Sequence, residues 1–315
     1  MIWLIARREF TEFVRDGRLF WSGGLMIVLL MTALAVGWQR QAQLQSERAV
    51  AQASDYDDWV NQPARHPHDA AHQGMHVFKP EPPLSIIDPG IGPYVGSTLW
   101  LQAHRQSEMK FRPAQDATGL QRFGSLSAAW VIQVLGPLLV LVLGFNAFSG
   151  EREQGTLRQV MSLGVPSRAL LWGKALAIGL ALAALLAPAS LVGAAAVAVQ
   201  TPVELWSEAA IRLALLGLGY AIYLVAAIFL VLAVSARMKT SRAALVTLLA
   251  VWIVGVVLAP RAISDLTDRA YPTPSRRHRG RSKSSFPLIW KALPARSARV
   301  TSRHRVPIIR AFARS

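Results

Sequence analysis

The sequence predicts an all-α polytopic membrane protein: five transmembrane helices with an extracytoplasmic domain between the first and the second. Three observations carry that expectation. Of 315 residues, 52% are hydrophobic and 17% charged, where a soluble domain carries about 25% charged residues. The mean hydropathy is positive, +0.32. The apolar residues are also gathered into runs, several of them long enough to cross a hydrocarbon core of about 30 Å as helices.

Residues 1–19 come first. Trp3, Ala6, Phe10, Phe13 and Val14 recur at helical spacing, while Arg7, Arg8, Glu12, Arg15 and Asp16 fall mostly elsewhere. That pattern describes either an amphipathic helix along the inner membrane surface or a charged flank that happens to be helical. The first span is 20–38 (FWSGGLMIVLLMTALAVGW), free of charge and with an aromatic residue at each end. Small residues near Ala33–Ala35 also suit a cleaved signal peptide, but the long charged lead-in and the further spans favour an uncleaved anchor. The second span is 126–148, the third 170–199, the fourth 209–234 and the fifth 243–259. The third exceeds what a bilayer needs and contains Pro188, which predicts one bent or tilted helix rather than two.

Short loops set the orientation. Arg7, Arg8, Arg15 and Arg18 precede the first span; Arg152, Arg158 and Arg168 follow the second; Arg237, Lys239 and Arg242 follow the fourth. The loop after the third span, QTPVELWSE, has no basic residue. The N-terminus and the loop 149–169 are therefore expected in the cytoplasm of a cell with this protein in its inner (plasma) membrane, in contact with membrane lipid.

The stretch 39–125 is expected outside the cytoplasm. Its first part reads as a helix continuing out of the membrane, and FKPEPPLSIIDPGIGPY reads as a loop punctuated by proline and glycine. With no cysteine in the chain, no disulfide supports it, and packing alone or against the spans must hold it. It also contains HPHDAAHQGMH. His68, His72 and His76 are spaced four apart and are the candidate metal ligands, yet Pro67 and Gly74 oppose one regular helix, so the run is read as a structural loop.

Chemistry is otherwise not signalled. The chain has no phosphate-binding G-x-x-x-x-G-K-[ST], no H-E-x-x-H and no cysteine nucleophile, so neither catalytic residues nor cofactors are expected. Lys174 and Arg212 are the charged residues within the spans, each about a turn from a span end, where a long side chain can snorkel to water.

The loop after the second span is more specified than a connector requires. Thr156 can cap a short helix LRQVMSL, Gly164 ends it, and Pro166-Ser167 starts the next helix. The result is a small rigid knob, either a docking element for a cytoplasmic protein or an ordinary capped connector.

The run FNAFSGEREQGTLRQVMSLGVPSRALLWGKALA resembles the segment of ABC-2 type transporter permeases in which an E-R-E-x-G-T-L element follows the second span. ARREFTEFVRDGRLF is similar to that family's cytoplasmic connecting helix, and PHDAAHQGMHVFKPEPPLSIIDPG to an extracytoplasmic insertion of one branch. The resemblance implies a permease subunit that moves an unknown substrate, works with a separate cytoplasmic ABC ATPase subunit and pairs with a second permease copy or homologue. It also implies that Glu151, Arg152, Glu153, Gly155, Thr156 and Leu157 contact that ATPase. The family normally has six spans.

The tail departs from it. Of the 34 Lys and Arg residues, 12 lie in 276–315, where there is no acid, so most of the net charge of +16 belongs there. Residues 260–315 are read as a disordered basic extension or as a frame-shifted stretch, the latter implying a truncated, non-functional permease. A nucleic-acid-binding role is disfavoured, because no recognition module accompanies the charge. The function of a different class is a membrane-anchored metal-binding or sensory protein built around 39–125.

Overall fold

The structure, a computed structural model, describes residues 1–104, 107, 109–112 and 126–271. Residues 276–315, with the basic tail, lie outside the described residues. Met1–Ser264 form one compact unit. Five helical stretches among the described residues are long and apolar enough to cross a membrane: Arg18–Val60, Ala128–Glu153, Ser167–Gln200, Val203–Arg237 and Ser241–Thr267.

Helix α1 (Ile2–Arg15) is followed, after a turn at Asp16-Gly17, by α2 (Arg18–Val60). One unbroken α2 thus carries both the apolar run and the polar residues beyond it. An insert follows: α3 (Pro67–Gln73), β1 (Met75–Phe78), a 3₁₀ turn (Pro83–Ile86), α4 (Gly92–Val95) and β2 (Thr98–Leu101). Strands β1 and β2 pair antiparallel, His76 opposite Trp100. The chain returns through α5 (Ala128–Gly144), the short α6 (Ser149–Glu153) and α7 (Thr156–Ser162), then α8 (Ser167–Gln200), which runs through Pro188 as a single helix. Helix α9 (Trp206–Arg237) precedes α10 (Ser241–Trp252), a π-helical stretch Ile253–Leu258, and α11 (Ala259–Ala270). The residues from Asp265 belong to a second unit.

The core is apolar and lies between α2, α5, α8 and α9. Leu30, Val131, Val140, Leu143, Ile178 and Leu232 are fully or almost fully buried. Much of the outward surface is equally apolar: Leu25, Val28, Leu191, Ile211, Leu215, Ile222 and Val246 are exposed. Such a surface is the expected face of spans whose solvent is lipid.

The helices alternate in direction, so the bundle has two distinct ends. One carries α1 together with the α6–α7 segment and the α9–α10 turn; the other carries the insert. The insert is not a separate body. Ile86 is fully buried, Ser85 donates to Gln41 Oε1 at 2.7 Å, and the Ala129 N–H bonds to the Ile87 carbonyl at 3.1 Å. Arg48 on α2 pairs with Glu81 at 2.6 Å. These ties and apolar packing hold the insert without disulfides.

Candidate functional site at the α1 end of the bundle

Glu151, Arg152 and Glu153 lie on α6, and each reaches a different neighbouring helix. Glu151 Oε1 accepts from Lys174 Nζ on α8 at 2.8 Å. Arg152 donates to the carbonyl oxygens of Ala236, at 2.7 Å, and Met238, at the end of α9. Glu153 Oε2 accepts from Ser241 Oγ at 2.6 Å, at the start of α10. The alternation of charge has a physical reason. A helix C-terminus leaves carbonyls without partners and attracts a cation, whereas an N-terminus attracts an anion. Arg152 meets the C-terminus of α9 and Glu153 the N-terminus of α10.

Lys174 does not snorkel. Its side chain is 2% exposed, held between Glu151 and Glu9 Oε1, the latter at 2.6 Å, with the Phe148 ring 5.5 Å from Nζ. The expectation failed because α1 folds back along the first turns of α8 and covers the route to water. Glu9 is the residue the sequence reading missed. It stands three residues after Ala6 and four before Phe13, on the buried face of α1. An acid on the apolar face of an amphipathic helix was the signal that could have found it. Burial pushes the Glu9 carboxyl above its ordinary range, and the Lys174 ammonium opposes that shift. Glu151 Oε2 is buried with no hydrogen-bond partner among the described residues, so this three-residue tie is incompletely satisfied.

Helix α6 is fixed from below by a residue of α9. Ser235 Oγ accepts from the N–H groups of Phe148, at 3.0 Å, and Ser149, at 3.2 Å, and both Ser235 and Ser149 are fully buried. A hydroxyl on another helix thus caps an N-terminus that has no cap of its own. Nearby, Arg18 at the start of α2 donates to Asn146 Oδ1 at 2.9 Å and to Asp16 at 2.6 Å. Burial alone would raise the Asp16 carboxyl, but the hydrogen bonds and charge of Arg18 hold it below its usual value. Ties from Glu9, Arg18, Asn146, Lys174, Ser235 and Ser241 therefore gather an end of each of the five described spans around α6.

The next turn presents a surface. Gly155, at φ +75°, lets the chain reverse between α6 and α7 in a conformation that a side chain disfavours. Thr156 does not cap α7. It is the first residue of the helix, behind Gly155, and its hydroxyl donates back to the Glu151 carbonyl at 3.2 Å. Leu157 and Val160 pack against the core, while Arg158, Met161 and Leu163 point away, Leu163 with 82% of its surface exposed. The candidate residues thus divide. Glu151, Arg152 and Glu153 fasten, Gly155 and Thr156 shape the turn, and Leu157 anchors a helix whose other face is open.

The histidines divide as well. Helix α3 ends at Gln73, and His76 lies on β1, where Nδ1 is 2.8 Å from Asp55 Oδ1. His76 therefore does not share a face with His68 and His72, because Gly74 breaks the helix between them. At the insert end, a cleft of about 620 Å³ between α5, α9 and the π-helical stretch is lined by Asp88, Gln133, Tyr220 and Tyr223. Gln133 donates to Tyr220 Oη at 3.0 Å and Tyr220 donates to Asp88 at 3.3 Å.

Residues 3–281 match the family described as ABC-2 family transporter protein. No curated protein matches the chain. With most of its length matched and, among the described residues, five helices long and apolar enough to cross a membrane, the chain is a multi-pass membrane protein of the ABC-2 transporter family, a permease component of an ABC transporter.

Proposed function

We propose that this permease takes mechanical work from a separate cytoplasmic ATPase through α7, and that Glu151, Arg152 and Glu153 pass the displacement to the spans. The observation that carries the reading is the division of labour around α6: three consecutive charges grip the ends of three different helices, α8, α9 and α10, while the adjoining α7 shows an open face. A push on α7 pulls on all three helices together. The contact surface comprises Arg158, Met161 and Leu163, set by the turn at Gly155 and Thr156 and by the anchor Leu157.

In this reading the α1 end faces the cytoplasm and the insert faces outward across the inner membrane, as the Arg and Lys of the short loops favour. The subunit works beside a second permease copy or homologue. Domain boundaries follow: residues 1–19 connect, 39–125 lie outside, and 149–169 couple. Transport then consists of a shift between two packings of the spans, biased by the ATPase. The cleft at Gln133 and Tyr220 lies where spans two, four and five part, and it would change shape in that shift.

The test is co-purification of the permease with its ATPase and measurement of ATP hydrolysis in the assembled complex. Glu151→Ala with Glu153→Ala is expected to uncouple hydrolysis from the permease. Normal coupling in that double variant would overturn the assignment, and a permease that brings down no ATPase favours a sensory protein instead.

A further inference from the structure

We infer that the insert binds a divalent transition-metal ion, Zn²⁺ or Cu²⁺, through the imidazoles of His68, His72 and His104. One ligand-capable nitrogen from each ring lies within 4.8 Å of the others. The His68 and His72 Nε2 atoms are 3.1 Å apart, and the ring centroids of His104 lie 5.3 and 5.4 Å from theirs. Four-coordinate zinc with Zn–N of about 2.0–2.1 Å places its nitrogens about 3.3 Å from one another. The first pair is close to that separation, and the His104 nitrogen lies within 4.8 Å of both.

The arrangement is built by the fold. His68 and His72 stand one turn apart on α3, so their rings project together. His104 comes from the other side of the sheet connection, after β2. Two hydrogen bonds hold its segment to α3: the Ala103 N–H to the Ala71 carbonyl at 3.1 Å, and Gln102 Nε2 to the His72 carbonyl at 2.7 Å. Gly74 permits the approach, since a Cβ there would meet the Leu101 carbonyl oxygen at 2.5 Å. His104 itself has φ +59°, a backbone region that a residue with a side chain rarely adopts. Among the described residues, no carboxylate joins the three nitrogens in the cluster. Three imidazoles on one side of an ion leave a position open for water or an exchanging ligand, and imidazole suits zinc and copper rather than magnesium or calcium. His68 and His104 are exposed, so an ion reaches the site from solution. This site stands whether or not the coupling reading holds, because it needs no ATPase.

The experiment is isothermal titration of ZnCl₂, then CuCl₂, into the full chain purified in detergent with a tag free of histidine. One equivalent is expected to bind with a dissociation constant of roughly 10 μM or tighter. H104A and H68A are each expected to weaken binding at least tenfold, while His76→Ala, outside the cluster, leaves it unchanged. Substitution with Co²⁺ and its visible absorption reports nitrogen ligation independently of affinity. Absence of saturable one-to-one binding, or binding that survives H68A and H104A together, overturns the inference. Should H104A misfold, H68A decides alone, because His68 is exposed and, among the described residues, its ring contacts are with the other two histidines.

Discussion

Lys174 Nζ lies 2.6 Å from Glu9 Oε1, a contact between residues 165 positions apart that closes α1 onto the first turns of α8. A buried lysine here ties the N-terminal helix and the α6 segment to one point.

Removing that charge leaves a buried Glu9 and a half-buried Glu151 without their cation. Breaking a buried ion pair in this way costs about 3–5 kcal/mol, mostly from the charges left behind. Lys174→Met is therefore expected to lower the thermal midpoint of the purified protein sharply. Adding Glu9→Gln and Glu151→Gln to it should recover most of the loss, because the uncompensated charges go with them. Denaturation followed by tryptophan fluorescence in detergent distinguishes the two outcomes. No recovery in the triple variant would mean that the site needs the ions themselves.

Glu9 gives the protein a pH dependence of definite sign. Its folded carboxyl is raised above the ordinary 4.5. As pH climbs past that value the unfolded chain releases its proton first, so unfolding is accompanied by proton loss and stability falls with rising pH. Below 4.5 both states hold the proton, and above the raised value neither does. Midpoints measured from pH 4 to pH 8 should fall across the intermediate window in the parent, and Glu9→Gln should flatten that part of the curve.

The membrane spans were legible in the sequence because bilayer thickness converts directly into a length of apolar chain, and five such runs leave too little polar chain to cover them as buried helices of a soluble core. E-R-E was singled out through resemblance, and its coupling role is a proposal. Its partners were not legible, since Lys174, Ala236, Met238 and Ser241 lie 23 to 88 residues away, and one sequence does not encode which distant ends meet. Lys174 was misread for a related reason: nearness to a span end suggests water, but only the fold reveals that α1 covers it. Thr156 was misplaced by one residue because Gly155, in a left-handed conformation, takes the cap position. His76 sat at the right spacing for a helix that Gly74 interrupts, while His104 joined the cluster through strand pairing, which spacing along the chain does not display.

Ser235 holds two backbone N–H groups in a place water does not reach. Ser235→Ala leaves the Phe148 and Ser149 donors without a partner, at a cost of about 1–3 kcal/mol. Ser235→Thr keeps the hydroxyl and should cost less. A comparison of the two midpoints separates loss of the acceptor from disturbance of packing; equal losses would show that the hydrogen bonds matter little.

Docking and fastening are separable at α6–α7, because the residues proposed for each face opposite ways. Leu163 and Met161 are exposed and touch little of their own chain, so Leu163→Glu and Met161→Glu should leave the thermal midpoint of the permease within about 1 °C, in keeping with small effects of surface substitutions. Truncation or reversal of contacts at the centre of an interface commonly costs about 2 kcal/mol or more, so these variants are expected to retain the ATPase roughly thirtyfold less well. Arg152→Ala should behave in the opposite way. It frees the carbonyls at the end of α9, lowers the midpoint, and keeps the ATPase bound while weakening the response of the spans to ATP. Arg152→Lys is expected to fall between, since an ammonium cannot reproduce the fork that meets two carbonyls. Association measured by pull-down and coupling measured by ATP hydrolysis should therefore split into two groups of variants. A Leu163→Glu protein that binds the ATPase as the parent does, or an Arg152→Ala protein that loses it altogether, would place the contact on α6 rather than on α7.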